Sequence, residues 1–157
     1  MDQVGRIYLD TNIIIKAFET SDSVANKAAI LLSGVMVSSP PRLVTSELTL
    51  GELLVLPYKN ADSSLIGFYR NLLRGNAWLN VQPVTRDILI SAARLRAANP
   101  SRKLPDAVHV ATAIACGCTH FLSSDKRIGP GPTEALPFTL AKPDDATLSS
   151  LIESMSR

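Results

Sequence analysis

The chain has 157 residues, 46% of them hydrophobic and 19% charged, a balance that suits one globular domain with a single core and excludes a disordered chain. Sixteen Lys and Arg against fourteen Asp and Glu give a net charge of +2, too little to announce a nucleic-acid partner, so the placement of charge must decide. No apolar targeting segment opens the chain and no apolar stretch is long enough to span a bilayer. Cys116 and Cys118 suit no disulfide framework, so a reducing cytoplasm is the expected compartment.

In chain order, Ile7-Tyr8-Leu9 reads as a short strand and residues 11–18 as a helix. Ser21-Asp22 caps a helix over about 24–33, with Ala25, Ala28, Ala29 and Leu32 on one face. Leu43-Val44-Thr45 is a strand, and residues 46–56 form a helix expected to stop at Pro57. Asp62 caps a helix over 63–74 that ends at Gly75. A strand follows over 79–84, then a helix capped by Thr85 that runs to about Ala98, and a break at Asn99-Pro100-Ser101. Residues 105–116 form an almost wholly apolar helix, His120-Phe121-Leu122 a strand and Gly129-Pro130-Gly131-Pro132 a loop. A strand at Phe138-Thr139-Leu140 and a helix capped by Asp144 or Asp145 close the chain. Strands alternating with helices predict an α/β fold, a central parallel sheet with helices on both faces, in a single domain over 1–157.

In such a sheet, ligands bind beyond the carboxyl ends of the strands, so the acids placed there matter most. Asp22, Asp62, Asp144 and Asp145 precede helices and act as caps, while Asp87 and Glu47 lie in first turns, where the helix dipole favours them. Asp2, Glu19, Glu134 and Glu153 read as solvated surface. The remaining acids are Asp10, Glu52, Asp106 and Asp125. Asp10 and Asp125 each follow a strand, and Glu52 lies mid-helix, beyond the help of the first turn. Glu52 is about 140° around its helix from Glu47, so only one of the two can face a given site. Asp106 opens the apolar helix, where a dipole partner alone would explain it as well as a function would. Gathered in one cleft, four carboxylates repel unless a cation compensates, and an all-oxygen set suits Mg²⁺ or Mn²⁺.

Leu9-Asp10-Thr11-Asn12 and the run from Thr45 through Glu52 to Leu53 resemble the opening of a PIN-domain nuclease. Lys103-Leu104-Pro105-Asp106-Ala107-Val108-His109 and Phe121-Leu122-Ser123-Ser124-Asp125 resemble its closing half, and the likeness runs from about Ile7 to Ile128. Size and layout are similar to the VapC toxins of toxin–antitoxin pairs. The resemblance implies a three-layer α/β/α fold and a metal-dependent endoribonuclease with Asp10, Glu52, Asp106 and Asp125 as its acidic quartet. It also implies that Ser123, where Thr is more usual, orders the site through its hydroxyl. Asn12 is a further candidate, either orienting Asp10 or a water or capping the first helix. The implied partners are an RNA substrate and a cognate antitoxin, with a second copy of the chain expected beside them and no membrane.

A carboxylate-held metal would acidify a water for in-line attack on phosphorus, leaving a 5′-phosphate and a 3′-hydroxyl. Asp10 and Asp106 are expected to be the more direct ligands. Arg102, Lys103, Lys126, Arg127 and Lys16 stand where a phosphate backbone would need them, although any one alone reads as a solvated charge. His109, one turn from Asp106, reads first as a buried, hydrogen-bonded core residue that could touch the site. Cys116-x-Cys118-x-His120 is too tightly spaced for zinc and has no fourth ligand nearby. Leu65, Phe68, Tyr69 and Leu72 form a helical stripe that either packs on the domain or receives an amphipathic partner helix.

Two rival functions remain in view. A Mg²⁺-dependent phosphoryl-transfer domain of the dehalogenase type would need a second Asp where Asn12 stands, and the receiver type an acidic pair where Asp10 stands alone. A catalytically silent RNA-binding or scaffold version of the PIN fold would typically have lost a carboxylate, and all four are present.

Overall fold

The computed structural model describes residues 3–33, 40–131 and 134–157. Asp2, expected at the surface, and Pro132, expected in a loop, lie outside them. The elements are β1 (Ile7–Leu9), α1 (Thr11–Glu19), α2 (Ser23–Leu31), β2 (Leu43–Ser46), α3 (Glu47–Lys59), α4 (Ser63–Leu72), β3 (Leu79–Gln82), α5 (Arg86–Ala98), α6 (Leu104–Ala115), β4 (His120–Leu122), a 3₁₀ turn at Lys126–Ile128, β5 (Thr139–Ala141) and α7 (Asp145–Met155).

All strand pairs are parallel, in the order β3-β2-β1-β4-β5. The residues of β1 are fully buried, as in strands covered on both faces. Side chains alternate across such a strand, and the core divides accordingly. Ile7 and Leu9 of β1, with Leu43 and Leu122, pack against Ile13 and Ile14 of α1, Ala28 and Leu31 of α2, Leu53 of α3, Tyr69 of α4 and Leu148 of α7. Tyr8, Val44 and Phe121 point the other way, onto Val110 and Ala113 of α6, and α5 packs outside α6 through Ala92 against Ala107, Val108 and Ala111. The result is the expected three-layer α/β/α sandwich with a central parallel sheet. Each fully buried Leu or Ile contributes roughly 1.5–3 kcal/mol. Among the described residues no helix is long and apolar enough to cross a membrane.

The chain leaves β1 toward β2 and β3 on one side, then returns to β4 and β5 on the other. That reversal opens a crevice between the carboxyl ends of β1 and β4. Leu9 pairs with Leu122, and the Asp10 amide donates to the Leu122 carbonyl at 3.1 Å, so the segments after both strands start side by side.

Several boundaries differ from expectation. α3 does not stop at Pro57 but continues to Lys59 with the proline inside it. Proline forfeits its own amide bond and its ring crowds the carbonyl one turn back, and here burial of that ring offsets part of the cost. The strand expected over 79–84 ends at Gln82, the helix expected to reach Arg74 ends at Leu72, and the last strand is Thr139–Ala141. Asp144 rather than Asp145 caps α7, accepting from the Thr147 amide at 2.7 Å. Asp145 instead meets Ser23 and Lys27 of α2. The stripe on α4 is divided. Tyr69 is fully buried with its hydroxyl donating to Glu19 at 2.5 Å, Leu65 and Leu72 are partly buried, and Phe68 is 42% exposed.

Candidate active site

Asp10, Glu52, Asp106 and Asp125 line one open cleft of about 420 Å³, together with Thr11, Asn12, Ile15, Lys103, Pro105 and Arg127. Four acids spread over more than a hundred residues of sequence are thus gathered at the crevice where the strand order reverses. Glu47 is exposed at the start of α3 and is not among the lining residues.

Asp10 is the N-cap of α1, only 5% exposed. One carboxylate oxygen accepts from the Thr11 amide at 2.8 Å. The other accepts from the Ser123 hydroxyl at 2.6 Å and the Asn12 amide group at 3.2 Å. Ser123 in turn accepts from the Asp125 amide at 3.0 Å, and Asn12 accepts from the Ser124 amide at 3.1 Å. Ser123 and Asn12 therefore knit the Asp10 carboxylate to the loop that carries Asp125. Asn12 is no cap of α1; that place is taken by Asp10.

Glu52, from the middle of α3, turns one oxygen to two donors, the Thr11 hydroxyl at 2.9 Å and His109 Nε2 at 2.6 Å. Burial raises its pKa, but the hydrogen bonds from His109 and Thr11 outweigh that, and the net shift is downward. Asp125 caps the 3₁₀ turn and is gripped by Arg127, whose guanidinium donates to both carboxylate oxygens at 3.1 and 3.0 Å. The Arg127 hydrogen bond holds its pKa below the ordinary carboxylate range.

Asp106 sits in the first turn of α6, behind Pro105. No hydrogen bond to its carboxyl is found among the described residues. Burial first, then the charges of Asp10 and Asp125, push its pKa up. A half-buried carboxyl beside two others is one whose charged form a nearby cation would stabilise. The donor chemistry, carboxylate oxygens alone, fits a hard divalent ion such as Mg²⁺ or Mn²⁺. As the side chains stand, no three acidic, imidazole or thiol groups among the described residues converge closely enough to enclose an ion. Glu52 and Asp125 are drawn instead toward His109 and Arg127.

The basic residues divide. Lys103 and Arg127 line the cleft. Arg102, expected as a phosphate contact, is fully buried and paired with Glu134 at 2.8 Å, and Glu134 is correspondingly no free surface acid. Lys16 pairs with Asp22 at 2.6 Å. His109 is both buried and in contact with the site. Thr11 has no motif of its own in the sequence, although its place directly after a strand-end acid puts its hydroxyl at the same crevice. Cys116 and Cys118 are free thiols, and burial pushes the Cys118 thiol up to about 12.

Glu47→Ala is expected to cost no more than about 1 kcal/mol of stability, as for one helix-dipole contact, and to leave activity unchanged. Glu52→Gln keeps an acceptor for His109 and Thr11 but removes the charge, so it should keep the fold and lower metal-dependent activity. Melting curves beside activity assays of both variants check this; activity loss at position 47 alone would show that the wrong glutamate is assigned.

The PIN domain family model matches residues 7–129, from β1 through the 3₁₀ turn. No curated protein sequence matches the chain. Among solved structures, the chain is similar to a toxin–antitoxin complex from Klebsiella pneumoniae, at 23% identity and a TM-score of 0.58, over 85% of this chain and 98% of that one. It is also similar to Mycobacterium tuberculosis VapC20, described as a sarcin–ricin loop cleaving toxin, at 22% identity and a TM-score of 0.58, over 73% of this chain and 86% of that one. A DNA-bound VapBC from Salmonella typhimurium matches at 17% identity with a TM-score of 0.55, over 89% of this chain and 99% of that one. Identities this low establish a shared fold. The family model covers most of the chain and every element that supplies an acid to the cleft, and the chain belongs to the PIN-domain family.

Proposed function

We propose that this chain is a Mg²⁺- or Mn²⁺-dependent endoribonuclease acting as the toxin of a toxin–antitoxin pair. The observation that carries the reading is the cleft itself: four carboxylates from four separate segments, with Lys103 and Arg127 among its lining residues. Asp10 and Asp106 would be the more direct metal ligands, with Glu52 and Asp125 completing the set. When bound there, the ion would supply Lewis acidity toward the phosphodiester and acidify water. Ser123 and Asn12 hold Asp10 in one rotamer, so its carboxylate is oriented before substrate arrives. Arg127, 54% exposed, and Lys103 are placed to receive a phosphate backbone at the cleft without reading sequence. Hydrolysis by water would leave a 5′-phosphate and a 3′-hydroxyl.

The test is incubation of purified protein with a panel of structured RNAs in Mg²⁺, Mn²⁺ or EDTA, with end-group analysis of the products. Cleavage abolished by EDTA supports the reading. Tight RNA binding without cleavage would favour a silent scaffold instead.

Two of the similar structures are a toxin–antitoxin complex and a VapBC complex, and on that likeness we propose a cognate antitoxin as a partner of this chain; a second copy of the chain is a further proposed partner. α3 and α4 pack against each other and expose Val55 at 68%, Tyr58 at 59% and Phe68 at 42%, an apolar face suited to an amphipathic helix. Phe68 rests edge-on against Phe18 at 4.8 Å rather than in the core. Phe68→Asp should therefore stay folded and lose the co-expressed antitoxin in a pull-down. An unfolded variant would show that Phe68 belongs to the core.

A further inference from the structure

We infer that Tyr8 and His109 are a positioning pair that aims the Glu52 carboxylate into the cleft, an inference that rests on the nuclease reading above. His109 lies within α6 with its ring 1% exposed, and its two nitrogens face different partners. Nε2 is 2.6 Å from Glu52 Oε1 and 3.8 Å from Asp10 Oδ1, the second too long for a hydrogen bond. Nδ1 is 2.6 Å from the Tyr8 hydroxyl. Because side chains alternate along β1, Tyr8 points away from Leu9 and lies beneath α6, its ring stacked on Phe121 at 4.8 Å.

The direction of the hydrogen bonds follows from the proton inventory. A carboxylate only accepts, so the 2.6 Å contact with Glu52 Oε1 calls for the ring N–H on Nε2. A protonated phenol 2.6 Å from an imidazole nitrogen donates to it. Nδ1 is then the acceptor from Tyr8, and the Nε2–H is aimed at Glu52 Oε1. The Thr11 hydroxyl is 2.9 Å from that same oxygen. With both donors on Oε1, no hydrogen bond to Oε2 is found among the described residues, which leaves that oxygen for a cation.

The pair answers a specific difficulty. A glutamate on a helix has three rotatable bonds, and the Glu52 side chain is 36% exposed, so without fixed donors it would spread over several rotamers. Donors from α6 and from the start of α1 hold it instead, and the Tyr8 hydroxyl selects which tautomer α6 presents. Outer partners of this kind are as much a part of a metal centre as its ligands.

The test compares Tyr8→Phe, His109→Gln and His109→Asn in the full chain. Gln can still place an N–H near the Nε2 position and reach Glu52. Asn reaches only the Nδ1 position and cannot. In metal-free wild type, ¹H–¹⁵N spectra should show one His109 ring N–H, on Nε2, whose signal moves in Glu52→Gln. Calorimetric Mn²⁺ affinity should fall about tenfold in His109→Asn, severalfold in Tyr8→Phe, and stay within about threefold of wild type in His109→Gln. RNA cleavage should follow the same order through kcat, with KM for RNA unchanged. A histidine that only fills the core would give a different pattern: Gln no better than Asn, and Mn²⁺ affinity unchanged in whatever remains folded. A ring proton on Nδ1 would overturn the inference outright, and Tyr8→Phe, which keeps its ring packing, guards against loss of the His109 variants to misfolding. Should wild type neither bind Mn²⁺ nor cut RNA, the nuclease reading fails, and the spectra alone decide whether Tyr8 and His109 hold Glu52.

Discussion

Asp10→Asn and Asp106→Asn are each expected to lower metal-dependent RNA cleavage by more than about 100-fold, equivalent to about 2.7 kcal/mol of barrier. Both remove a ligand charge, but their effects on stability should differ. No hydrogen bond reaches the Asp106 carboxyl among the described residues, and its pKa is raised by burial, Asp10 and Asp125. A raised folded-state pKa means that the folded protein binds the proton more readily than the unfolded chain. Stability from this group is therefore full below the ordinary aspartate range and falls as pH rises toward the folded value. Asp106→Asn escapes that loss, so in EDTA its melting temperature should match or exceed wild type at pH 7, with the gap closing near pH 3. Asp10 differs because both of its oxygens accept hydrogen bonds, two of them on one oxygen from Ser123 and Asn12. An amide there turns one acceptor into a donor facing donors, at a cost of about 1 kcal/mol or more. Differential scanning calorimetry across pH, beside cleavage assays, checks both halves. Retained metal-dependent cleavage in the two variants would remove the carboxylate quartet from the mechanism.

Asp10 and Asp125 were legible in sequence because each directly follows a short apolar strand, and strand ends of parallel sheets converge on one crevice. Glu52 needed the helix period to separate it from Glu47. The contacts that orient these acids were not legible. The link from Ser123 to Asp10 spans 113 positions and that from His109 to Glu52 spans 57. Neither is written in any local pattern. His109 shows the difficulty plainly: an apolar helix predicts a buried ring, but only the packing of α6 against β1 and α3 says what its nitrogens meet.

Fold class followed from alternation alone, whereas boundaries were set by tertiary contacts. Pro57 is a helix breaker in isolation, yet α3 runs past it because the turn before it is anchored by buried Leu53 and the proline ring is itself buried. The α4 stripe read as one unit because spacing places Leu65, Phe68, Tyr69 and Leu72 on one side. A helix face is wider than the groove that receives it, so Tyr69 enters the core and Phe68 stays at its edge.

Arg102 neighbours Lys103 and Asp106 in sequence, yet it is fully buried and paired with Glu134 rather than free to meet a phosphate. Its guanidinium donates to both Glu134 oxygens at 2.9 and 2.8 Å and to the carbonyls of Ile128 and Gly129 at 3.2 and 3.1 Å. The pair thus ties the segment leading into α6, which carries Asp106, to the segment that follows the Asp125 turn. Glu134→Gln should cost about 3–5 kcal/mol at pH 7, because it strands a fully buried cation rather than merely removing one contact. Arg102 hydrogen bonds hold the Glu134 pKa below the usual carboxylate range. For an acid with a lowered folded-state pKa, the stability contributed is present above the unfolded value and is lost as pH falls through the folded one. The penalty of Glu134→Gln should therefore be constant near neutrality and shrink below about pH 4. The Arg102→Met, Glu134→Leu double variant should recover much of the loss, since an apolar pair of similar volume avoids burying a lone charge. Urea unfolding followed by the fluorescence of Trp78, the single tryptophan, measures all three. A loss for Glu134→Gln that stays under about 1 kcal/mol, or that is equal at pH 7 and pH 3, would mean the pair is an ordinary surface contact that does not brace the cleft.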